Sequence, residues 1–254
     1  MSSPPRYCIV VPTYDNPATI RGVIERLLAQ PKRLFEMVIV VDDGSGPAGR
    51  AACEDLANDG LAMVHHRETN GGKGAGVCTG LKVAQSIGFT HAIQIDADGQ
   101  HDIARLGAFV AASRESPEAL VLGYPKYDES APKVRKIARK FTQFWVDIEA
   151  GRGTISDAMV GFRVYPVDVT LALPVRGRRM DFDIEVAVRA ARARIPIVNL
   201  EVEVRYLTTE EGGVSHFQPL WDNLRFAWLH SRLCTEGCVG WVMRKVFRRR
   251  QLSD

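Results

Sequence analysis

The chain contains no run of 18 apolar residues, so the sequence predicts no membrane-spanning helix. A charged-then-apolar leader is also missing. "MSSPPRY" passes straight into a strand-like run, and no signal peptide is expected. The five cysteines, Cys8, Cys53, Cys78, Cys234 and Cys238, show no Cys-x-x-Cys spacing. Reduced core thiols in a cytoplasmic protein are therefore expected, not a disulfide framework. Internal repeats and low-complexity linkers are absent too. A surplus of basic over acidic residues is missing except near the end, where "RKVFRRR" spans Arg244 to Arg250. From Phe217 to Asp254 there are seven basic and three acidic residues, which leaves the first 216 residues near −1 of a net charge of +3. A basic run this short, with no nucleic-acid-binding fold beside it, excludes nucleic acid as a partner.

What remains is ordinary globular chemistry. The 254 residues are 46% hydrophobic and 25% charged, enough for a buried core. "YCIVVPTY", "EMVIVVDDGS", "LAMVHHRE", "HAIQID" and "ALVLGYPK" read as strands, and four helical patterns lie between them. Near-continuous apolar strands alternating with helices predict an α/β fold, a mostly parallel sheet covered on both faces. After Lys126 come a basic-aromatic helix over "APKVRKIARKFTQFWVDIEAG", a turn and strand over "ISDAMVGFRVYP", a helix over "DFDIEVAVRAARAR" and a strand over "PIVNLEVEVRY". "GGVSHF" reads as a loop, and the remainder as C-terminal amphipathic helices. In "PLWDNLRFAWLHSRL", Leu220, Leu224, Trp228 and Leu229 fall near one face, with Trp221 and Phe226 adding bulk. One domain over 1–216 with a helical, basic extension over 217–254 is the expected organisation. A basic, aromatic helix of this kind suits peripheral contact with an anionic membrane surface, or packing on the domain.

Ligands of parallel sheets bind beyond the carboxyl ends of the strands, and there the polar residues collect. "NGGKGAG", Asn70 to Gly76, is neither a P-loop nor a dinucleotide fingerprint. Arg67 stands where a P-loop needs its first glycine, and Gly74 where it needs Ser or Thr; the dinucleotide pattern has Val77 or Thr79 at its third glycine. A loop with Lys73 at a helix N-terminus remains. It suits a phosphate, or it is a plain helix-start turn. "DDGS", Asp42 to Ser45, is alone either a polar site or a common turn. "DADGQHD" places Asp96 and Asp98 one residue apart after an apolar strand. Two such carboxylates can flank one hard divalent cation that takes its other ligands from water and phosphate. The alternative is an Asp-rich turn, and Asp102 reads as the N-cap of the helix near Ile103.

Taken in order, "VPTYDN", "DDGS", "NGGKGAG" and "DADGQ" resemble the motifs of family 2 glycosyltransferases, enzymes of the GT-A fold. Within that family the chain is most similar to polyprenyl-phosphate sugar synthases of the dolichyl-phosphate mannosyltransferase kind. Gln100 matches their D-x-D-x-Q, and Ser156, Asp157, Gly161, Phe162 and Arg163 match their S-D-x-x-x-G-F-R. The resemblance covers residues 6–216.

It implies an inverting, metal-dependent transferase that moves a sugar from a UDP- or GDP-sugar to a polyprenyl phosphate or another membrane-associated lipid. Pro12, Tyr14, Asp42 and Asp43 would line the nucleoside pocket, with Asn70, Lys73, Gly74 and Asp96 beside the nucleotide. Asp96 and Asp98 would hold Mg²⁺ or Mn²⁺, with Gln100 nearby. Arg163, Arg205, Ser215 and His216 would face phosphate or acceptor groups, and Asp157 would act on the acceptor side. Asp183 and Glu185 read either as acids at a helix start or as residues near the acceptor.

Two departures stand out. Asp15-Asn16 replaces the family's Asn-Glu, and His216 replaces a lysine, leaving it a phosphate contact, a metal ligand or a loop residue. The leaving diphosphate gains negative charge as its bond to the sugar breaks, so a cation and basic side chains aimed at it lower the barrier. A phosphate acceptor is already anionic, whereas a hydroxyl needs a base. Two rival readings are a glycosyltransferase with a non-lipid acceptor and a non-catalytic sugar-nucleotide-binding protein. A pyrophosphorylase is disfavoured, because "PTYDNPAT" lacks glycine after the first strand. The expected location is cytoplasmic, peripheral on the cytoplasmic face of a membrane.

Overall fold

The computed structural model describes residues 4–31, 34–126, 133–204 and 219–251, with side chains left out at 133–138, 219 and 239–251. Seven strands form one sheet: β1 Tyr7–Thr13, β2 Met37–Asp42, β3 Met63–His66, β4 His91–Gln94, β5 Leu120–Lys126, β6 Arg163–Pro166 and β7 Ile197–Glu203. Their order is β3-β2-β1-β4-β6-β5-β7. β1 pairs in parallel with β2 and β4, β2 with β3, and β5 with β7. β6 alone runs antiparallel, between β4 and β5. The mostly parallel sheet expected from the sequence is therefore present.

The helices are α1 Ile20–Leu28, α2 Pro47–Asn58, α3 Lys73–Ser86, α4 Leu106–Glu115, α5 Lys133–Ala150, α6 Val167–Leu171, α7 Asp181–Arg192 and α8 Pro219–Gln251. Side chains of β1 alternate between two cores, as a strand buried on both faces requires. Tyr7, Ile9 and Val11 join α1, α2 and α4 on one face, while Cys8 and Val10 join α3 and α7 on the other. The five cysteines are free, and Cys8 and Cys53 are buried. Burial pushes both of their thiols up to about 12, so they are inert core atoms. Asp102 caps as expected: its carboxylate accepts from the Ala104 amide at 3.0 Å.

The C-terminal segment is one continuous helix, not several. α8 is clamped to the domain by buried polar contacts. Glu185 of α7 receives Arg189 at 2.6 Å and Arg232 of α8 at 2.9 Å, and His230 lies 3.0 Å from Glu149 of α5. The face predicted for this helix splits in two. Phe226, Leu229 and Leu233 are buried, whereas Leu220, Leu224 and Trp228 are exposed, Trp228 by 72%. Steps of four keep the second group together, and Leu229 is a further 100° round the helix from Trp228. No described helix is long and apolar enough to cross a membrane.

Candidate active site

β1, β2, β3 and β4 all end on one side of the sheet, and the loops that follow them interlock. Asp42 closes β2. One of its carboxylate oxygens accepts from the Ser45 amide at 2.9 Å, and the other lies 2.8 Å from His66 Nδ1 at the end of β3. Burial pushes the Asp42 carboxyl up, but these hydrogen bonds prevail and its pKa is lowered. Asp43 reaches the glycine loop: it accepts from the Gly71 and Gly72 amides at 3.1 and 2.6 Å, with Arg67 Nε 2.7 Å away. Asp15, the departure from the family pattern, fastens the loop between β2 and α2. Its backbone is left-handed, with φ of 48°, its amide donates to Ser45 Oγ and its carboxylate accepts from the Gly46 amide. Pro12 is buried beneath Gly76, a contact that puts α3 against β1. Tyr14 and Asn70 are half-buried at the rim, and Asn70 Oδ1 is a buried acceptor with no partner. Gly74 lies so close to Phe182 of α7 that any side chain there would overlap the ring.

The centre of the site lies past β4. Lys73 Nζ, at the start of α3, stands 2.9 Å from Asp96 Oδ2 and 2.9 Å from Asp183 Oδ2 on α7. Burial works against the ammonium, yet the charges of Asp183 and Asp96 outweigh it and raise its pKa, so Lys73 is charged. Asp96 is held well below the ordinary carboxylate range: burial opposes this, but Lys73 and His101 prevail. Asp98 moves the other way, because burial and the neighbouring Asp96 charge both favour its protonated form. Its Oδ1 accepts from the Gln100 amide at 3.0 Å.

Support for Asp96 comes from across the sheet. Tyr165 of β6 donates to Gln94 Oε1 at 2.8 Å, and Gln94 Nε2 donates to Asp96 Oδ1 at 3.3 Å. The backbone of Gly161 lies against the Asp96 carboxylate, where a Cβ would collide with it. This gives the glycine of the S-D-x-x-x-G-F-R motif a physical reason. Among the described residues no three His, Cys, Asp or Glu side chains are grouped to hold a metal. Two adjacent carboxylates are nevertheless a hard oxygen donor set. They fit a divalent cation that completes its shell with water and phosphate.

Other expected site residues sit elsewhere. Arg163 does not face open space. It is fully buried, and its guanidinium donates to the carbonyls of Val160, Asp183 and Ala158 at 2.7, 2.7 and 2.8 Å. A buried arginine must satisfy its donors, and here it binds β6 to α7, with Asp183 Oδ1 3.8 Å from the guanidinium. Asp157 is buried; it accepts from the Met159 and Val160 amides and pairs with Arg139 of α5 at 2.6 Å. Glu185 is buried and holds the Gly177 amide, Arg189 and Arg232. Arg205, Ser215 and His216 lie outside the described residues.

Sequence reasoning missed two participants. His101 puts Nε2 3.3 Å from Asp96 Oδ2, and Arg139 reaches Asp157. His101 lies within "DADGQHD", whereas Arg139 comes from a helix far along the chain and carried no local signal. Asp183, one of the two acids that the sequence places at a helix start or near the acceptor, reaches Lys73.

Between α5 and α8, beside Met159, runs an apolar cleft of about 490 Å³. Phe141, Trp145, Phe226, Ala227 and His230 are among its walls. Leu220, Leu224 and Trp228 flank it on α8, and Phe141, Phe144 and Ile148 are exposed along α5.

A sheet of this topology with its polar loops gathered at the carboxyl ends of the strands is the GT-A architecture, and the class is glycosyltransferase. The chain belongs to glycosyl transferase family 2, which matches residues 8–169. It is 24% identical over 219 residues to the UDP-N-acetylglucosamine–dolichyl-phosphate N-acetylglucosaminyltransferase of Methanococcus voltae, covering 78% of this chain and 85% of that protein. To the undecaprenyl-phosphate mannosyltransferase of Micrococcus luteus it is 27% identical over 217 residues, covering 82% and 86%. In fold it is similar to glucosyl-3-phosphoglycerate synthase of Mycobacterium tuberculosis, solved with Mn²⁺, UDP and glucosyl-3-phosphoglycerate. The TM-score is 0.64 at 18% identity, over 91% of this chain and 77% of that one.

Proposed function

We propose that this glycosyltransferase moves a sugar from a UDP- or GDP-sugar to a polyprenyl phosphate, with inversion at the sugar carbon. The observation that carries the reading is the meeting of Lys73, Asp96 and Asp98 where the strand-end loops interlock. Asp96 and Asp98 would hold Mg²⁺ or Mn²⁺ with Gln100 beside them, and that cation, when bound, supplies positive charge to the leaving diphosphate. Lys73 and the amides at the start of α3 bind the same phosphates. Asn70 offers its unpartnered oxygen to the nucleotide, and Tyr14, Pro12, Gly74, Asp42 and Asp43 shape the nucleoside wall. Asp42 and Asp43 act there through the loop amides they hold rather than by direct contact.

On the acceptor side Asp157 is spent on two amides and Arg139. Its role in this reading is to aim Arg139 at the acceptor phosphate, which needs no base to attack. Arg205, Ser215 and His216 are assigned to the same side from the sequence. The apolar cleft beside Met159 takes the prenyl chain, and the exposed side chains of α5 and α8 rest on the membrane that delivers it. The catalytic domain is 1–216, and 217–254 is the extension that brings it to the cytoplasmic face. Relatives named for polyprenyl-phosphate transfer support this acceptor class.

The test is transfer of radiolabelled sugar from UDP- and GDP-sugars to polyprenyl phosphate in vesicles, with Mn²⁺ or Mg²⁺. Metal-dependent label in lipid from one donor is expected, together with its loss in Asp98→Ala. Transfer indifferent to chelator, or unchanged in Asp98→Ala, would refute the metal assignment. Label appearing only on water-soluble acceptors would refute the lipid.

A further inference from the structure

We propose that Lys73 is the resting counter-cation of the carboxylate pair, so that a divalent cation enters only together with the diphosphate that draws Lys73 off Asp96. This rests on the assignment of Asp96 and Asp98 to the metal–diphosphate complex. Both oxygens of Asp96 are already taken: Oδ2 by Lys73 at 2.9 Å and His101 at 3.3 Å, Oδ1 by Gln94 at 3.3 Å. A cation arriving alone would meet an ammonium on the same oxygen, inside a site of low dielectric where like charges repel strongly. It would also find few protein ligands, since no group of three or more metal-ligating side chains exists among the described residues.

A nucleoside diphosphate changes both terms. Its oxygens complete the cation's shell, and its negative charge gives Lys73 a second partner at the start of α3. Asp183 lets the exchange happen without stranding the ammonium. It stands on α7, 2.9 Å from Nζ, and its Oδ1 is a buried acceptor with no hydrogen bond. Lys73 can therefore leave Asp96 and remain paired. By linkage, each of the two ligands then tightens the other by the same factor.

The experiment is calorimetric titration of Mn²⁺, alone and with saturating UDP or GDP, into the wild type, Lys73→Met and Lys73→Arg. Bound Mn²⁺ is checked by electron paramagnetic resonance. In the wild type, the accepted nucleotide is expected to tighten Mn²⁺ by about 100-fold, near the upper end of such couplings. Lys73→Met should bind Mn²⁺ alone about tenfold more tightly than the wild type, and Lys73→Arg should not. Mn²⁺ alone should also raise the melting temperature of Lys73→Met and leave that of the wild type unmoved.

The inference is overturned if wild-type protein binds Mn²⁺ alone as tightly as with nucleotide, or if Lys73→Met leaves the affinity for Mn²⁺ alone unchanged. If Lys73→Met does not fold even with Mn²⁺, the wild-type titration decides. A wild type that binds no metal–nucleotide complex at all refutes the underlying metal assignment, a result distinct from the other two.

Discussion

The loops at the strand ends and the outer faces of α5 and α8 treat their side chains in opposite ways. At the ends of β1 to β4, Asp15, Asp42, Asp43, Lys73 and Asp96 are each bonded to a neighbouring loop. Along α5 and α8 large apolar groups stand in solvent, Leu220 by 68% and Phe141 by 66%. The first region is charged, and its side chains hold one another. The second is short of a partner. A small, highly charged ligand is best met by a preorganised cage, whereas a long flexible chain or a surface needs area.

The contrast can be broken most severely at Arg163. Arg163→Met should cost about 3–5 kcal/mol, because it leaves the carbonyls of Val160, Asp183 and Ala158 buried without their donor and removes the cation 3.8 Å from Asp183 Oδ1. Chemical denaturation measures this, and a loss below ~1 kcal/mol would mean that the cage is not held from beneath. Gly161→Ala should be next, at about 1–3 kcal/mol from overpacking. Since the added methyl collides with the Asp96 carboxylate, nucleotide-dependent Mn²⁺ binding should fall more than stability does.

Asp42→Asn should cost roughly 1 kcal/mol and flatten the acid limb of the stability curve. Asp42 has a lowered pKa in the folded protein. Its contribution is therefore complete above the unfolded carboxyl pKa, about 3.9, and is lost as pH falls through the folded value. Denaturation between pH 3 and pH 6 would show a steeper fall for the wild type. The outer faces of α5 and α8 should answer least in stability. Trp228→Ser with Leu224→Ser should shift it by no more than about 0.5 kcal/mol, while binding to anionic vesicles drops several-fold. An equal drop in stability would place those side chains in the core and cancel the comparison.

The strand ends and their polar loops could be read in the sequence because their signals are local. An apolar strand followed at once by "DDGS" or "DADGQ" fixes both the element and the position of its polar end. The Asp102 cap was legible for the same reason. Arg163 was misplaced because a motif gives residue type without direction, and a guanidinium can serve carbonyls as readily as phosphates. Asp183 and Arg139 reach the site through the packing of α7 and α5 on the sheet, which no spacing encodes. The face of α8 was drawn too wide: Leu229 and Trp228 are neighbours in sequence but point 100° apart, one inward and one outward.

β7 closes one end of the sheet, next to β5. Along it Val202 is buried, while Glu201 and Glu203 are exposed. A strand at the rim can present unpaired amides and carbonyls that invite another chain to add itself. Here the segment after Asp98 covers it: the Glu201 carbonyl accepts from Arg105 Nε at 3.2 Å, the Glu203 carbonyl accepts from the Asp102 amide at 3.3 Å, and His101 bridges to Val204. The sequence "NLEVEV" therefore turns Leu200, Val202 and Val204 to the interior, while its backbone edge is closed by the same stretch that carries Asp96 and Asp98.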